Sequence, residues 1–203
     1  MRLLVIDTCL PACQAAVVAD GVVLAALSEP MARGHQERLA PMTGEVMAAS
    51  CLAFSDLDRI AVTVGPGSFT GLRVGLAFAK GLAMALAIPC VGVGTLAALA
   101  ASLEGGGRRT AAIDAGRGAV FLQAFDGDAE LGPPESLPLK AAELAQGGRL
   151  VGPTAAALAA VGQTSVDLIA PSPLAIAGLA EHAPLTPPRP LYLRAPDAKV
   201  KGA

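Results

Sequence analysis

The sequence predicts an α/β protein with two lobes, in which one strand-and-helix design occurs twice. The first observation is an opening block, "RLLVIDTCLPACQAAVVADGVVLAALS", with an apolar strand ending at Asp7 and a hairpin turn at Asp20. A similar block, "TAAIDAGRGAVFLQAFDGDAEL", has Asp114 and Asp126 at the corresponding places. Each block is followed by strands that alternate with helical stretches, which is the pattern of an α/β layer.

The elements after each hairpin block follow from apolar runs and helical periodicity. The first block is followed by helical "ERLAPMTGEVMAASCL", strand "RIAVTV", helical "GLRVGLAFAKGLAMALA", strand "CVGV" and helical "TLAALAASL". The second is followed by helical "KAAELAQ", strand "RLVG", helical "PTAAALAAVG", strand "VDLIA" and helical "SPLAIAGLAEHA". Three consecutive glycines in "EGGGRR" mark the join, so we expect lobes at 1–105 and 106–203, the second smaller.

The composition needs an explanation, because 53% of the 203 residues are hydrophobic, 16% are charged and the mean hydropathy is +0.56. The uncharged segment 81–103 is long enough to cross a bilayer. However, Pro89, Gly92 and Gly94 divide it into a helix end, a strand and a new helix, which argues against a membrane span. No secretory signal is recognisable at the N-terminus. We therefore expect a cytoplasmic protein without membrane contact.

The four cysteines and the net charge point to no specific ligand. The cysteines lack zinc-like spacing, so we expect them to be thiols that pack as small buried hydrophobes. With a net charge of -2, and only a sparse basic stretch at 189–201, the chain has no electrostatic footprint for binding nucleic acid unaided.

The stretch "VGPGSFTGL" at 64–72 allows two interpretations. Glycine amides and the following helix N-terminus could hold an anion, with Asp7 and Thr8 nearby on the first strand's turn and Gly65, Gly67, Ser68 and Thr70 in the loop. The lysine of a Walker-type loop is missing. The alternative, which we favour, is a tight turn in which Gly65 and Gly67 permit unusual backbone angles, Pro66 stiffens the turn and Ser68 or Thr70 caps the helix.

Two predicted helices are apolar on more than one side, which predicts a protein interface; a second internal layer is the alternative. The helix at 71–87 carries only Arg73 and Lys80 as charges, and the helix at 37–52 shows two apolar stripes. Small residues permit close helix approach, and methionine packs adaptively. The predicted interface residues are Met42, Met47, Gly71, Arg73, Leu76, Ala77, Lys80 and Met84.

Catalytic residues are sparse in the sequence. His35 and His182 are its only histidines, so paired-histidine metal motifs are excluded and a metallopeptidase is a poor interpretation. Asp7 and Asp114 end equivalent strands and could face each other across a cleft, holding a cation or acting as a base. We favour the alternative that both are turn residues.

The motif "VGPGSFTGLRVGLAFAKGLA" resembles the TsaB (YeaZ-like) family. The resemblance extends over most of the chain, through "LLVIDTCLPACQAAV", "RGHQERLAPM", "IPCVGVGTLAALA", "AAIDAGRGAVF" and "PLYLRAP". It implies a duplicated actin-like fold of the ASKHA and RNase H-like type. It departs from the family's pattern at Gly116, Arg117, Ala119 and Phe121, which puts any role of that loop in doubt.

The resemblance also implies a function. It implies a noncatalytic scaffold or activator of the catalytic subunit TsaD in forming threonylcarbamoyladenosine beside the tRNA anticodon, with no catalytic residue or metal of its own. The ATPase TsaE is a further partner, tRNA is reached through the complex, and ATP and metal are expected on the partner subunits. In isolation a homodimer is expected. The alternative function is an ATPase or phosphotransferase of the same fold.

Overall fold

The computed structural model describes residues 1–145, 148–160 and 163–193, which form two mixed sheets with helices. The first half contains β1 Arg2–Asp7, β2 Ala12–Ala19, β3 Val22–Pro30, α1 His35–Ser50, β4 Arg59–Thr63, α2 Phe69–Leu86, β5 Cys90–Val93 and α3 Thr95–Ala101. The second half contains β6 Arg108–Gly116, β7 Ala119–Asp126, β8 Ala129–Glu130, β9 Glu135–Pro138, α4 Leu139–Ala145, β10 Arg149–Val151, α5 Ala155–Leu158, β11 Ser165–Val166 and α6 Pro173–His182.

The first sheet has the strand order β3-β2-β1-β4-β5, antiparallel through the opening hairpins and parallel from β1 to β5. Its central strand β1 is apolar on both faces because helices cover both. Leu4 and Ile6 pack with α1 and α2, whereas Leu3 and Val5 pack with Ile176 of α6. The continuous apolar run of β1 therefore reflects burial on both sides.

The second sheet repeats this topology. Strands β9, β7 and β6 are antiparallel neighbours, and β10 and β11 extend the sheet parallel to β6. The turn after each first strand is also repeated, because Asp7 Oδ1 accepts from the Cys9 amide at 3.0 Å and Asp114 Oδ1 accepts from the Gly116 amide at 2.7 Å. The predicted duplication and two-lobed α/β fold are confirmed.

The last described helix, α6, packs outside the lobe to which the predicted division at 105/106 assigns it. Helix α6 was expected in the lobe formed by 106–203, but Ile176, Ala177 and Ala180 pack on the first sheet. Helix α3 lies before the predicted join but packs on the second sheet, with Leu99 against Ile113 and other core residues of that sheet. Because α1 and α2 cover only one face of the first sheet, α6 is needed to bury the other face.

The second lobe contains less regular structure than the sequence predicts. The strand expected over 166–170 is shorter in the structure and spans Ser165–Val166. Its length is limited because its partner β10 is itself only three residues long. The helix expected over 153–162 spans Ala155–Leu158, and Ala159 already has extended backbone angles. Gln146, Val161 and Gly162 of the predicted helices lie outside the described residues.

The segment 81–103 divides as its proline and glycines predict, into the end of α2, strand β5 and helix α3. By length and composition alone, α2 is apolar enough to cross a membrane, with a mean hydropathy of 1.3 and 33% of its residues buried. Its Leu72, Leu76 and Ala79 instead pack on the first sheet.

The cysteines are free thiols. Cys9 and Cys13 are buried as predicted, and Cys90 is partly buried. The prediction is wrong for Cys51, which is exposed at the C-cap of α1.

Replacing Ile176 tests whether α6 completes the core of the first lobe. Ile176 is fully buried, so Ile176→Ala should lower the free energy of unfolding by about 2 to 5 kcal/mol. Leu174→Ala is the matched control, because Leu174 lies on the same helix and is 44% exposed. The two values are compared by urea denaturation, and equal small losses would contradict the packing of α6 on this sheet.

Candidate functional site

The turn from β4 into α2 joins the two regions that the sequence singled out. Ser68 is the N-cap of α2, and its Oγ accepts a hydrogen bond from the Gly71 amide at 3.2 Å. The Ser68 amide donates to the Cys9 carbonyl oxygen at 2.7 Å, which ties this turn to the turn after β1. Of the two predicted caps, Ser68 is confirmed.

Three glycines, one in the β4–α2 turn and two on the inner side of α2, are explained by close packing. A Cβ on Gly67 would overlap the Cys9 carbonyl oxygen, one on Gly71 the Thr8 carbonyl oxygen, and one on Gly75 the Thr8 hydroxyl. The Thr8 hydroxyl in turn donates to the Gly71 carbonyl oxygen at 2.7 Å. Glycine at intervals of four therefore lets the β1 turn lie directly against the helix.

The residues predicted for an anion site are not brought together as an open cradle. Asp7, Thr8 and Gly65 are buried, whereas Ser68 and Thr70 are exposed at the start of α2. Gly67 is half-buried. The Ser68 and Gly71 amides already have partners within the chain. An anion site here stays a prediction, and the packing explains the glycines without it.

Asp7 does not face the cleft as the second sequence hypothesis required. Its Oδ1 accepts from the Thr63 hydroxyl at 2.5 Å as well as from the Cys9 amide, and its Oδ2 has no partner among the described residues. Burial raises the pKa of the Asp7 carboxyl, although the two hydrogen bonds oppose the shift. Both aspartates act as turn residues, in agreement with the favoured interpretation.

A cavity of about 260 Å³ lies between the lobes, where the turns after β1 and β6 approach each other. Its walls include His35 and Ser68 from the first lobe and Asp114 from the second. His35 is 7% exposed, and its Nε2 has no hydrogen-bond partner within the described chain. Burial raises the pKa of the Cys9 thiol in the wall to about 12, so this thiol is a poor nucleophile.

Half of the predicted interface residues are core residues. Met42, Met47, Gly71 and Leu76 are buried against the first sheet or its turns, so their side chains present no surface to a partner. This part of the prediction is corrected: these four residues belong to the chain's own core.

The other four predicted residues lie on the outer face of α2. Arg73, Ala77, Lys80 and Met84 are exposed, and Met84 is 82% exposed. This half of the prediction stays open, because exposure makes these side chains available without identifying a partner.

Two stripes of small residues run along this outer face. Helices α1 and α2 lie side by side, and each exposes a small residue at every fourth position. The stripes are Ala40, Gly44 and Ala48 on α1, and Ala77, Gly81 and Ala85 on α2. No described atom lies within 4 Å of a Cβ added to Gly44 or Gly81, so packing within the chain does not require either glycine.

Comparison with known proteins shows the family. Residues 27–134, just over half of the chain, match the family model of TsaD, tRNA N6-adenosine threonylcarbamoyltransferase. The chain is a TsaB/YeaZ-like member of this family. It is 39% identical to the Escherichia coli tRNA threonylcarbamoyladenosine biosynthesis protein TsaB over 63% of this chain and 56% of the relative. The chain thus spans about half the length of this relative. It is also 38% identical to the uncharacterized Mycobacterium tuberculosis protein Rv3421c, over 97% of this chain and 93% of that protein.

Solved structures agree with this assignment. YeaZ from Pseudomonas aeruginosa matches with a TM-score of 0.82 and 27% identity, over 95% of this chain and 99% of that one. The Clostridium difficile activator of 2-hydroxyisocaproyl-CoA dehydratase matches with a TM-score of 0.53 and 10% identity, over 90% of this chain and 94% of that one. The first match supports the YeaZ assignment, and the second shows only the shared actin-like fold.

Replacing glycine on the two sides of α2 separates packing from helix propensity. Gly71→Ala should lower the free energy of unfolding by about 1 to 3 kcal/mol, because its Cβ overlaps the Thr8 carbonyl oxygen. Gly81→Ala should raise it by about 0.5 to 1 kcal/mol, because the helix gains alanine's propensity in open space. Urea denaturation measures both, and a stabilised Gly71→Ala variant would disprove the close packing.

The buried Asp7 carboxyl should make stability depend on pH in a defined direction. Because the pKa is raised in the folded state, the contribution of Asp7 is largest at acidic pH and is lost as the pH rises through the folded pKa. Asp7→Asn keeps the acceptor oxygen without the charge, so its free energy of unfolding should rise relative to the unsubstituted protein between pH 4 and pH 8. Asp114→Asn, in the equivalent exposed turn, is the control. A relative fall of Asp7→Asn with pH would contradict the assignment.

Proposed function

We propose that the chain is a noncatalytic subunit in tRNA threonylcarbamoyladenosine biosynthesis and that it binds the TsaD-type threonylcarbamoyltransferase through the outer face of α1 and α2. The support is membership of a family named for this biosynthesis, together with an outer face of small residues that the described part of the chain leaves uncovered. The partner is proposed as a related protein that presents helices to this face.

The observation that carries the proposal is the pair of open glycines, Gly44 and Gly81. A glycine inside a helix lowers stability by about 0.5 to 1 kcal/mol relative to alanine, and packing within the chain does not require either one. A close helix–helix contact accounts for them, since small residues at intervals of four let two helix backbones approach. Met84 at the far end supplies an adaptable apolar side chain at the edge of the contact.

The proposed role needs no bond-making residue in this chain. The Asp7 carboxyl is enclosed by Thr63 and the Cys9 amide, and Asp114 caps its own turn. We propose that the chain has no metal or nucleotide cofactor of its own and that ATP and metal are bound by the partner subunits. Turnover of ATP by the isolated chain would overturn this and favour the ATPase alternative.

The wider assembly is proposed on the same basis. The ATPase TsaE is a further subunit, the tRNA is bound within the complex, and the site of action is the cytoplasm. Without its partner, the outer face of α1 and α2 is proposed to pair with a second copy of the chain, because the same small-residue stripes are then uncovered. Reconstitution of tRNA modification with and without this chain tests its requirement.

Substituting Gly81 tests the contact without weakening the fold. Gly81→Leu should raise the free energy of unfolding by about 0.5 to 1 kcal/mol through helix propensity. It should weaken binding to the TsaD-type protein of the same organism about tenfold or more, because the leucine prevents close approach. Affinity is measured by calorimetric titration, and self-association by analytical ultracentrifugation.

Gly178→Leu is the matched control, because Gly178 is also an exposed, unobstructed glycine inside a helix, but on α6. It should leave the affinity unchanged. Met84→Asp provides a second probe at the edge of the face. If Gly81→Leu and Met84→Asp both bound the partner as well as the unsubstituted chain, the proposed interface would be wrong.

A further inference from the structure

An exposed aromatic cluster stands at the N-terminal end of α2. The chain has only five phenylalanines and one tyrosine, and two of these six rings are largely exposed: Phe69 at 46% and Tyr192 at 41%. Their ring centroids are 5.6 Å apart. The Arg73 guanidinium lies 3.7 Å from the Phe69 ring centroid, and its Nε donates to the Tyr192 hydroxyl oxygen at 3.0 Å.

The backbone on both sides holds this cluster in place. Phe69 and Arg73 are one turn apart on α2, directly after the Ser68 cap. The segment that carries Tyr192 is fixed because the Leu191 amide donates to the Val64 carbonyl oxygen at 2.8 Å. The rings therefore belong to a preorganised surface that joins the α2 turn to the C-terminal segment.

The two segments that carry the cluster contain basic residues and no acidic ones. No aspartate or glutamate occurs from residue 59 to 103 or from 182 to 196, although the chain as a whole carries a net charge of -2. Arg73 forms no ion pair within the described residues, and Lys80 and Arg189 are exposed on the same two segments. Arg73, Lys80 and Arg189 therefore give these two segments an excess of positive charge.

Exposed aromatic rings and a guanidinium without an ion-pair partner together match the chemistry of RNA nucleotides that are not base-paired. Aromatic faces stack with nucleobases, and a guanidinium held against a ring still presents its Nη atoms to a phosphate. We propose that Phe69, Arg73 and Tyr192 form a stacking platform for an unpaired nucleotide of the RNA substrate. This inference rests on the proposed function and adds a direct RNA contact by this chain.

The position of the platform fits the proposed assembly. Phe69 and Arg73 continue, at intervals of four, into the outer stripe of Ala77, Gly81 and Ala85. Arg73 is about 6 Å along the helix from Ala77. An RNA loop held by a partner on this stripe would therefore lie next to the rings.

The test measures binding of the full chain to a labelled anticodon stem-loop RNA at low ionic strength, by fluorescence anisotropy. Tyr192→Ala and Arg73→Gln should each weaken binding about tenfold, since each removes a stacking or phosphate contact. Arg73→Gln should also lower the salt dependence by about one charge. Tyr192→Phe, which keeps the ring, and Arg108→Gln, which removes an exposed arginine of the second lobe, should bind within about twofold of the unsubstituted chain.

A stem-loop with 4-thiouridine in the loop should form a photo-crosslink to the unsubstituted chain that Tyr192→Ala abolishes. Equal RNA affinity of Tyr192→Ala and the unsubstituted chain would overturn the platform. So would undetectable RNA binding, or binding of poly-glutamate in place of RNA, which would indicate an acidic protein segment as the ligand.

The proposed contact with the TsaD-type partner and the proposed RNA platform can be disproved independently of each other. Gly81→Leu should lose the TsaD-type partner and retain RNA binding, whereas Tyr192→Ala should retain the partner and lose RNA binding. Loss of the partner in Tyr192→Ala, with RNA affinity unchanged, would assign the cluster to the protein interface and overturn the RNA platform.

Discussion

The contact between the turn after β1 and the inner side of α2 is the constraint on which the rest of the first lobe depends. The Thr8 and Cys9 backbone and the Thr8 side chain lie against three glycines of the β4–α2 turn and helix, at a distance that no side chain on those glycines would allow. This contact fixes how closely α2 approaches the sheet. It thereby also fixes which α2 residues face outward, how α1 packs beside it, and where the first helical residue, Phe69, presents its ring.

The two lobes show how the surroundings change the chemistry of one local motif. Asp7 and Asp114 form the same turn in equivalent hairpins. The Asp7 carboxyl is enclosed by the Thr63 side chain and its own turn, whereas Asp114 is exposed. The first carboxyl is consequently buried with a raised pKa, and the second lines the cleft between the lobes.

Local sequence patterns predicted the strands of the first sheet, the doubled hairpins, the position of α2 and its cap at Ser68 or Thr70, because each depends on neighbouring residues. They could not assign the two apolar sides of α1 and α2. Periodicity shows that Met42 and Met47 lie on apolar stripes, but only the position of the sheet shows that both are buried. Contacts far apart in sequence, such as Ile176 on β1 or Tyr192 on Arg73, leave no local signal. The glycine spacing at 67, 71 and 75 was the available signal that was not used.

The return of α6 to the first sheet has a consequence for the order in which the chain acquires its structure during synthesis. The first sheet consists entirely of residues before 94, yet Leu3 and Val5 on one of its faces are covered by residues 176–180. As the chain leaves the ribosome, that face stays open until nearly all of the second lobe has been made. An apolar surface exposed for that long invites aggregation. The core of the first lobe is therefore completed only after residues 176–180 have been made.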